Sequence, residues 1–305
     1  MAKLIVRRII WTIPVLLLVV FLTFILMKAI PGGPFTGEKA LPPEILANMN
    51  AKYGLDAPWY EQYLRYIWRA LHGDLGVSMT QKSRTVLDII SDAFPVSLHL
   101  GIMAFGLGII IGVPAGIVAA LKHNTWADYA AIFYATLGWA VPNFIVGPIL
   151  IYIFAVKLGW LPTSTWHGWQ YWVLPTVTLG TALSAYFARL TRGSMLETLQ
   201  QDYVRTALAK GLPYRTVVVK HVLRNSLIPV ITQAGPLLGF VITGSFLVEF
   251  IFSVPGLGKY YVSTVSNRDY SVVMGLTVLL SALVVAANLV VDILYGVLDP
   301  RIRND

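Results

Sequence analysis

Few residues in this 305-residue chain have the type and spacing that bond-making chemistry requires. The five histidines, His72, His99, His123, His167 and His221, are scattered and form no HExxH pair, so no metal site is expected. Cysteine is absent, which excludes disulfides, Fe–S clusters and thiolate metal sites. No GxSxG elbow is present, and Ser194 and Ser245 have no adjacent base motif. No GxxxxGK[ST] loop is available to cradle ATP phosphates. The sequence therefore predicts no catalytic residue, no cofactor and no enzyme activity of its own. Two acids remain. Asp292 lies inside an apolar run, with Asn288 one turn earlier and Tyr295 three residues on; such an acid is either a structural cap or ion pair, or the proton relay of an ion-coupled transporter of small polar solutes. Glu249 precedes Pro255-Gly256-Leu257-Gly258 and reads as a helix cap or as part of a substrate entrance.

One polar segment has legible local geometry. Asp202 is a candidate N-cap, Tyr203 to Lys210 are helix formers that include Arg205, Thr206 and Ala207, Gly211 suits the left-handed position after a helix, and Pro213 prevents continuation. A second helical run follows from Tyr214 to Asn225. A short helix with small residues at Ala207 and Ala209 fits a groove on another protein, and a basic helix lying on lipid has the same pattern.

The elements that hold this segment are hydrophobic. Only 12% of residues are charged and 56% are hydrophobic, against about 25% charged in soluble domains, so an all-α integral membrane protein is expected. Six apolar runs approach the ~20 residues a spanning helix needs: residues 9–30, 97–121, 132–156, 171–190, 227–251 and 272–297. The first follows Lys3, Arg7 and Arg8 like a signal peptide. It exceeds the roughly 7–15 residues of a signal core, and Ala29-Ile30-Pro31 offers no small-x-small cleavage site, so it is read as a retained membrane helix. Pro114, Pro142, Pro148 and Pro236 interrupt the runs and are expected to kink them, or simply reflect the higher proline content of membrane helices. Gly108, Gly112 and Gly116, and again Gly235 and Gly239, repeat every four residues and predict close helix packing. Between the first two spans, residues 31–94 form a polar insertion whose apolar positions Leu46, Met49, Tyr53 and Tyr63, Tyr66, Ile67 predict two short amphipathic helices on the outer membrane face, split at Gly54 and Pro58.

Charge orients this arrangement. The face with the N terminus carries thirteen Lys and Arg against five acids, whereas the other carries ten against nine. The positive-inside rule places both termini in the cytoplasm. The net +8 thus reports topology; the bases meet anionic lipid headgroups, and no nucleic acid partner is expected.

Gln201-Asp202-Tyr203-Val204-Arg205-Thr206-Ala207-Leu208-Ala209-Lys210-Gly211-Leu212 resembles the cytoplasmic "EAA" coupling loop of ABC-importer permeases, in the form used by peptide importers. Of the general Glu-Ala-Ala-x-x-x-Gly pattern only Ala207 and Gly211 match, Leu208 stands where Arg is common, and the pattern's later proline falls at Arg224. Other segments resemble the family's "B-type" subunit in order along the chain: Pro31-Gly32-Gly33-Pro34, Gly54-Leu55-Asp56-Ala57-Pro58, Gly73-Asp74-Leu75-Gly76-Val77-Ser78, Thr191-Arg192-Gly193-Ser194-Met195, Pro255-Gly256-Leu257-Gly258, Arg268-Asp269-Tyr270 and Asp299-Pro300-Arg301. Pro34-Phe35-Thr36-Gly37-Glu38 and Leu41-Pro42-Pro43-Glu44 are closer to oligopeptide than dipeptide permeases. The resemblance implies an N-terminal membrane helix (residues 1–30), a periplasmic insertion (31–94), a type I importer transmembrane domain (95–297) with its coupling loop at 191–226, and a cytoplasmic tail (298–305). It also implies a bacterial inner-membrane location and a set of partners: a second homologous permease subunit, two cytoplasmic P-loop ATPases and a periplasmic or extracellular peptide-binding protein. In such an assembly the helix from Asp202 to Gly211 would dock on an ATPase, with Ala207 allowing close approach and Arg205 and Lys210 making rim contacts. Trp139, Phe144 and Tyr186 are aromatics that either face a substrate path or pack the bundle.

Overall fold

The computed structural model describes residues 2–35, 42–81, 83–242 and 244–298, which are predominantly helical. Helix α1 spans Ala2–Ala29, and two short helices follow, α2 (Pro43–Tyr53) and α3 (Trp59–Leu71). Their boundaries fall where the punctuating residues demand: Gly54 ends α2 with φ of 67° and donates its N–H to Ala51 O, and Pro58 precedes α3. The two helices do not simply rest on the outer face of a bundle. Tyr63 of α3 donates its hydroxyl to the Leu17 carbonyl, 3.0 Å away in the middle of α1, and packs on Phe21 and Phe24.

Helix α4 (Val86–Leu121) begins well before the expected start at residue 97, because Thr85 and Asp88 form a reciprocal capping box that starts the helix inside the polar insertion. Helix α7 (Trp169–Leu199) likewise runs nine residues past its apolar stretch. These two form the most extensive helix pair in the fold, running side by side in the same direction. The repeated glycines are the reason. A Cβ on Gly108 would lie 2.7 Å from Leu183 Cβ, one on Gly112 2.4 Å from Ser184 O, and one on Gly116 2.5 Å from Ala188 O. Backbones this close admit no side chain, and dispersion contacts accumulate along the seam. At Gly239 the same relation holds with α14 (Tyr270–Leu298), where a Cβ would fall 2.1 Å from Ala287 Cβ, while Gly235 is half-buried.

Two expected spans are not single helices. Residues 132–156 form α5 (Trp126–Ala140) and α6 (Asn143–Leu150, continued by a π-helical stretch to Lys157), which meet at 101°. Pro142 is the cause: it pushes Val141 into an extended conformation with ψ of 115° and lacks the N–H that would continue the ladder. Pro114, Pro148 and Pro236, by contrast, lie within continuous helices. Residues 227–251 divide into α11 (Ile228–Ile242) and α12 (Phe246–Ile251) around Gly244, whose φ is 98°. Among the described residues four stretches are long and apolar enough to cross a membrane, Thr12–Ala29, Val86–Leu121, Ile228–Ile251 and Tyr270–Ala287, with a fifth if the bent α5–α6 pair counts as one. Helix α7 is long enough but less apolar and does not join them.

The main core lies between α4, α7, α11 and α12 around Leu100, Leu183, Phe187 and Phe252. A second cluster joins α4, α13 (Leu257–Ser266) and α14 around Val86, Ile89, Leu257 and Leu276.

Candidate functional site

The segment singled out by its spacing is a helix, α8 (Asp202–Ala209), set across the end of the bundle where α4 and α7 finish. Its N-cap is Gln201, with ψ of 147°, rather than Asp202, which occupies the first helical position and places its negative charge in the first turn. The exit is a Schellman turn: Gly211, at φ of 78°, donates to Leu208 O at 2.9 Å and Leu212 donates to Ala207 O at 3.3 Å. Glycine, without a Cβ, takes up that left-handed backbone more readily than other residues, which is the role expected for Gly211.

The orientation of α8 corrects one expectation. Ala207 is 9% exposed and, with Val204, packs into a cluster of this chain's own residues, Ala120, Met195, Val217 and Val222. The close approach it permits is to α4 and α7. The outward face consists of Asp202, Tyr203, Arg205, Thr206, Leu208 and Lys210, all exposed. Helices α9 (Tyr214–Val217) and α10 (Leu223–Ser226), joined by a π-helical stretch into one run from Tyr214 to Ser226, flank α8 on the other side, and Asn225 donates to the Tyr203 hydroxyl at 2.9 Å. Thus α8 is clamped to the bundle on its inner face and presents its polar rim outward.

Spacing alone gave no sign of the lock beside it. Arg192 of α7 donates through Nε and Nη2 to the two carboxylate oxygens of Asp128 in the first turn of α5, at 2.5 and 2.9 Å. Asp128 is fully buried and also accepts from the Asn124 N–H at 3.0 Å, with His123 Nδ1 at 3.0 Å. The pair fixes α5 against α7 in the opposite direction, and the alignment continues through Tyr134 to Ser184 at 2.5 Å and Gly138 to Ala185. In front of this seam, Trp139 and Tyr186 come together with ring centroids 5.6 Å apart, whereas Phe144 lies beyond the bend in α6.

The opposite end of the bundle carries two further polar locks. Glu249 of α12 is fully buried and accepts from Ser97 Oγ at 2.8 Å and from the Gly258 N–H at 2.7 Å, so it caps α13. The cap resolves the two roles open for this acid. Gly256 belongs to the same lock, since a Cβ there would lie 2.4 Å from Glu249 Oε2. The second lock joins two distant motifs. Asp269, also fully buried, accepts from Ser78 Oγ at 2.5 Å, from Thr80 Oγ1 at 2.9 Å and from the Met79 N–H at 3.1 Å. Nearby, the Gly76 N–H and the Arg69 guanidinium hold the exposed Asp74 carboxyl below its ordinary pKa. The side chains of Asp292, Asn288 and Tyr295, and the Asp299-Pro300-Arg301 motif, lie outside the described residues. Among the described residues no group of three His, Asp or Glu is placed to hold a metal.

Residues 112–304 match the family described as binding-protein-dependent transport system inner membrane component, and residues 1–101 match the family of its N-terminal region. The chain belongs to this permease family. It is 47% identical over 305 residues to the oligopeptide transport system permease protein OppB of Salmonella typhimurium, covering 99% of this chain and all of the relative. The dipeptide transport system permease protein DppB of Bacillus subtilis is 45% identical, with 99% and 98% covered, and the glutathione transport system permease protein GsiC of Escherichia coli is 41% identical, with 99% of each covered. Among solved structures, the MetNI methionine ABC transporter in an inward-facing conformation superposes with a TM-score of 0.57 at 18% identity, over 69% of this chain and 96% of that one. An amino acid ABC transporter solved with histidines gives 0.56 at 13% identity, over 68% and 92%. The permease fold is therefore shared well beyond recognisable sequence identity.

Proposed function

We propose that this chain is the permease subunit of an ATP-driven peptide importer, forming half of the translocation path and receiving the force of ATP hydrolysis through α8. The observation that carries the reading is near-half identity along the whole length to relatives named for oligopeptide and dipeptide transport. Longer peptides are the favoured substrate, given the oligopeptide-type residues around Pro34 and Leu41 to Glu44.

Three features support the mechanical half of the proposal. The chain has no phosphate loop, so the energy must arrive from partner ATPases. Helix α8 is clamped to α4, α7 and the Tyr214–Ser226 helix, so a displacement of its outer rim moves those helices as a body. The directions of three helices are compatible with six alternating crossings: α4 and α7 run together, and α5 runs against them. The full assembly is a heterodimer with a second permease subunit, two cytoplasmic ATPases and an extracytoplasmic binding protein, in the bacterial inner membrane.

Purification of the tagged chain from native membranes tests this. A P-loop ATPase and a second multi-spanning chain are expected to copurify, and peptide uptake in reconstituted vesicles is expected to stop when ATP is withheld. A chain that purifies alone and accumulates solute on an ion gradient without ATP would instead be a secondary transporter.

A further inference from the structure

We propose that the recess between α5, α7 and α11 is a resting site for a peptide in transit, with Arg189 taking its terminal carboxylate, Glu197 its terminal ammonium, and the Trp139–Tyr186 pair its C-terminal side chain. The inference rests on the peptide-importer reading and adds the residues of the path.

The recess has a volume of about 460 Å³ and is lined by Trp139, Tyr186, Arg189, Ser194, Glu197 and Pro229 among others. Arg189 closes the apolar stretch of α7, and Ser194 and Glu197 lie on its extension past residue 190, so the recess opens where the helix leaves the apolar layer. Ionisable groups on a membrane helix face a water-filled cavity or another protein. The opposite side of α7 is sealed against α4 by the glycine seam, which leaves this polar side to the recess. Neither Arg189 nor Glu197 has an ion-pair partner among the described residues, in contrast to Arg192 one turn away. Both are exposed.

Spacing supplies the ligand class. Arg189 and Glu197 are eight positions apart on one helix, about 12 Å at the α-helical rise. An extended peptide covers that distance in about three to four residues. Guanidinium and carboxylate at the two ends suit a zwitterion with free termini, and the two aromatic faces at the Arg189 end accept varied C-terminal side chains without reading their sequence. The Trp139 end lies toward the bend in α5, and the Glu197 end toward α8, so the site follows the direction of passage.

The test uses the complete importer in vesicles with its own binding protein. For each peptide the variant is compared with wild type, which cancels the binding protein's own preference. R189Q is expected to reduce uptake of a tripeptide with a free C terminus about tenfold, the loss of one charge-assisted hydrogen bond. It should leave uptake of the C-terminal amide at the wild-type level. E197Q should show the mirror pattern between free and N-acetylated tripeptide. Equal losses for free and blocked peptides, or no loss, would overturn the site. A second measurement does not depend on turnover. This chain has no cysteine, so S194C supplies its sole thiol, and labelling of this chain by a water-soluble methanethiosulfonate is expected to slow severalfold when tripeptide is present. Labelling only by a lipid-soluble reagent, or labelling that peptide does not slow, would refute the recess as path. If wild type itself shows no ATP-dependent peptide uptake, it is the importer reading that fails; if wild type transports and the variants behave as wild type, the site alone fails.

Discussion

Arg192 holds Asp128 through both carboxylate oxygens, joining residues 64 positions apart at the end of the bundle nearest α8. The Asp128 side chain is 1% exposed and that of Arg192 is 22% exposed. This asymmetry makes the two deletions unequal. Arg192→Met leaves a buried carboxylate with only His123 and one backbone N–H, at a cost of about 3 kcal/mol. Asp128→Asn leaves a guanidinium that can reach water, at about 1 kcal/mol. Thermal unfolding of the detergent-solubilised protein should place Arg192→Met clearly below Asp128→Asn. Equal midpoints would mean that the pair is not a desolvated lock.

The Glu249 cap gives a prediction about backbone rather than charge. Gly256→Ala drives a methyl to 2.4 Å from Glu249 Oε2 and 2.5 Å from Ser97 Oγ, so the cap must open. A loss of about 2 kcal/mol follows, typical of overpacking in a filled interior. Ser97→Ala in the Gly256→Ala background should then cost less than it does alone, because the hydrogen bond it removes is already broken. Additive losses would place the two residues in separate environments.

At the Asp269 lock the two motifs Gly73 to Ser78 and Arg268 to Tyr270 act as one unit. Ser78→Ala removes one donor and is expected to cost about 1 kcal/mol, whereas Asp269→Ala strands several donors and costs about 3 kcal/mol. Their coupling in a double-mutant cycle should exceed about 1 kcal/mol. A coupling near zero would show that the segment around Ser78 is held by other contacts.

Much of this architecture was legible in the chain because it is written in local punctuation. Gly54, Pro58 and Gly211 act within a few residues, and the glycine repeat at 108, 112 and 116 advertises a close helix neighbour by its period alone. What stayed hidden are pairings across long stretches of chain, Asp128 with Arg192 and Ser78 with Asp269, since nothing near either residue encodes its partner. Proline was ambiguous for a related reason. Its missing N–H always removes one bond, but only at Pro142 does the preceding residue turn extended and end the helix. Ala207 shows the same limit in miniature: a small residue signals that something comes close, and the fold decides that it is this chain's own α4 and α7.

That orientation decides how α8 should be probed. Ala207→Asp buries an unpaired carboxylate among Val204, Met195 and Val217, costing about 3 kcal/mol, so lost uptake there would reflect a displaced helix. Gly211→Asp strains a backbone at φ of 78°, at about 1 kcal/mol. Leu208→Asp and Arg205→Glu change only exposed groups on the outer rim and should alter stability by no more than about 0.5 kcal/mol. If this rim receives the ATPase, both variants remain inserted and assembled with wild-type melting behaviour, ATP hydrolysis continues, and peptide uptake falls at least about tenfold, equivalent to ~1.4 kcal/mol of lost coupling. Measuring hydrolysis and uptake in the same vesicles separates this from unfolding. Normal uptake by both rim variants would remove α8 from the coupling path, leaving the Tyr214–Ser226 helix as the next surface to test.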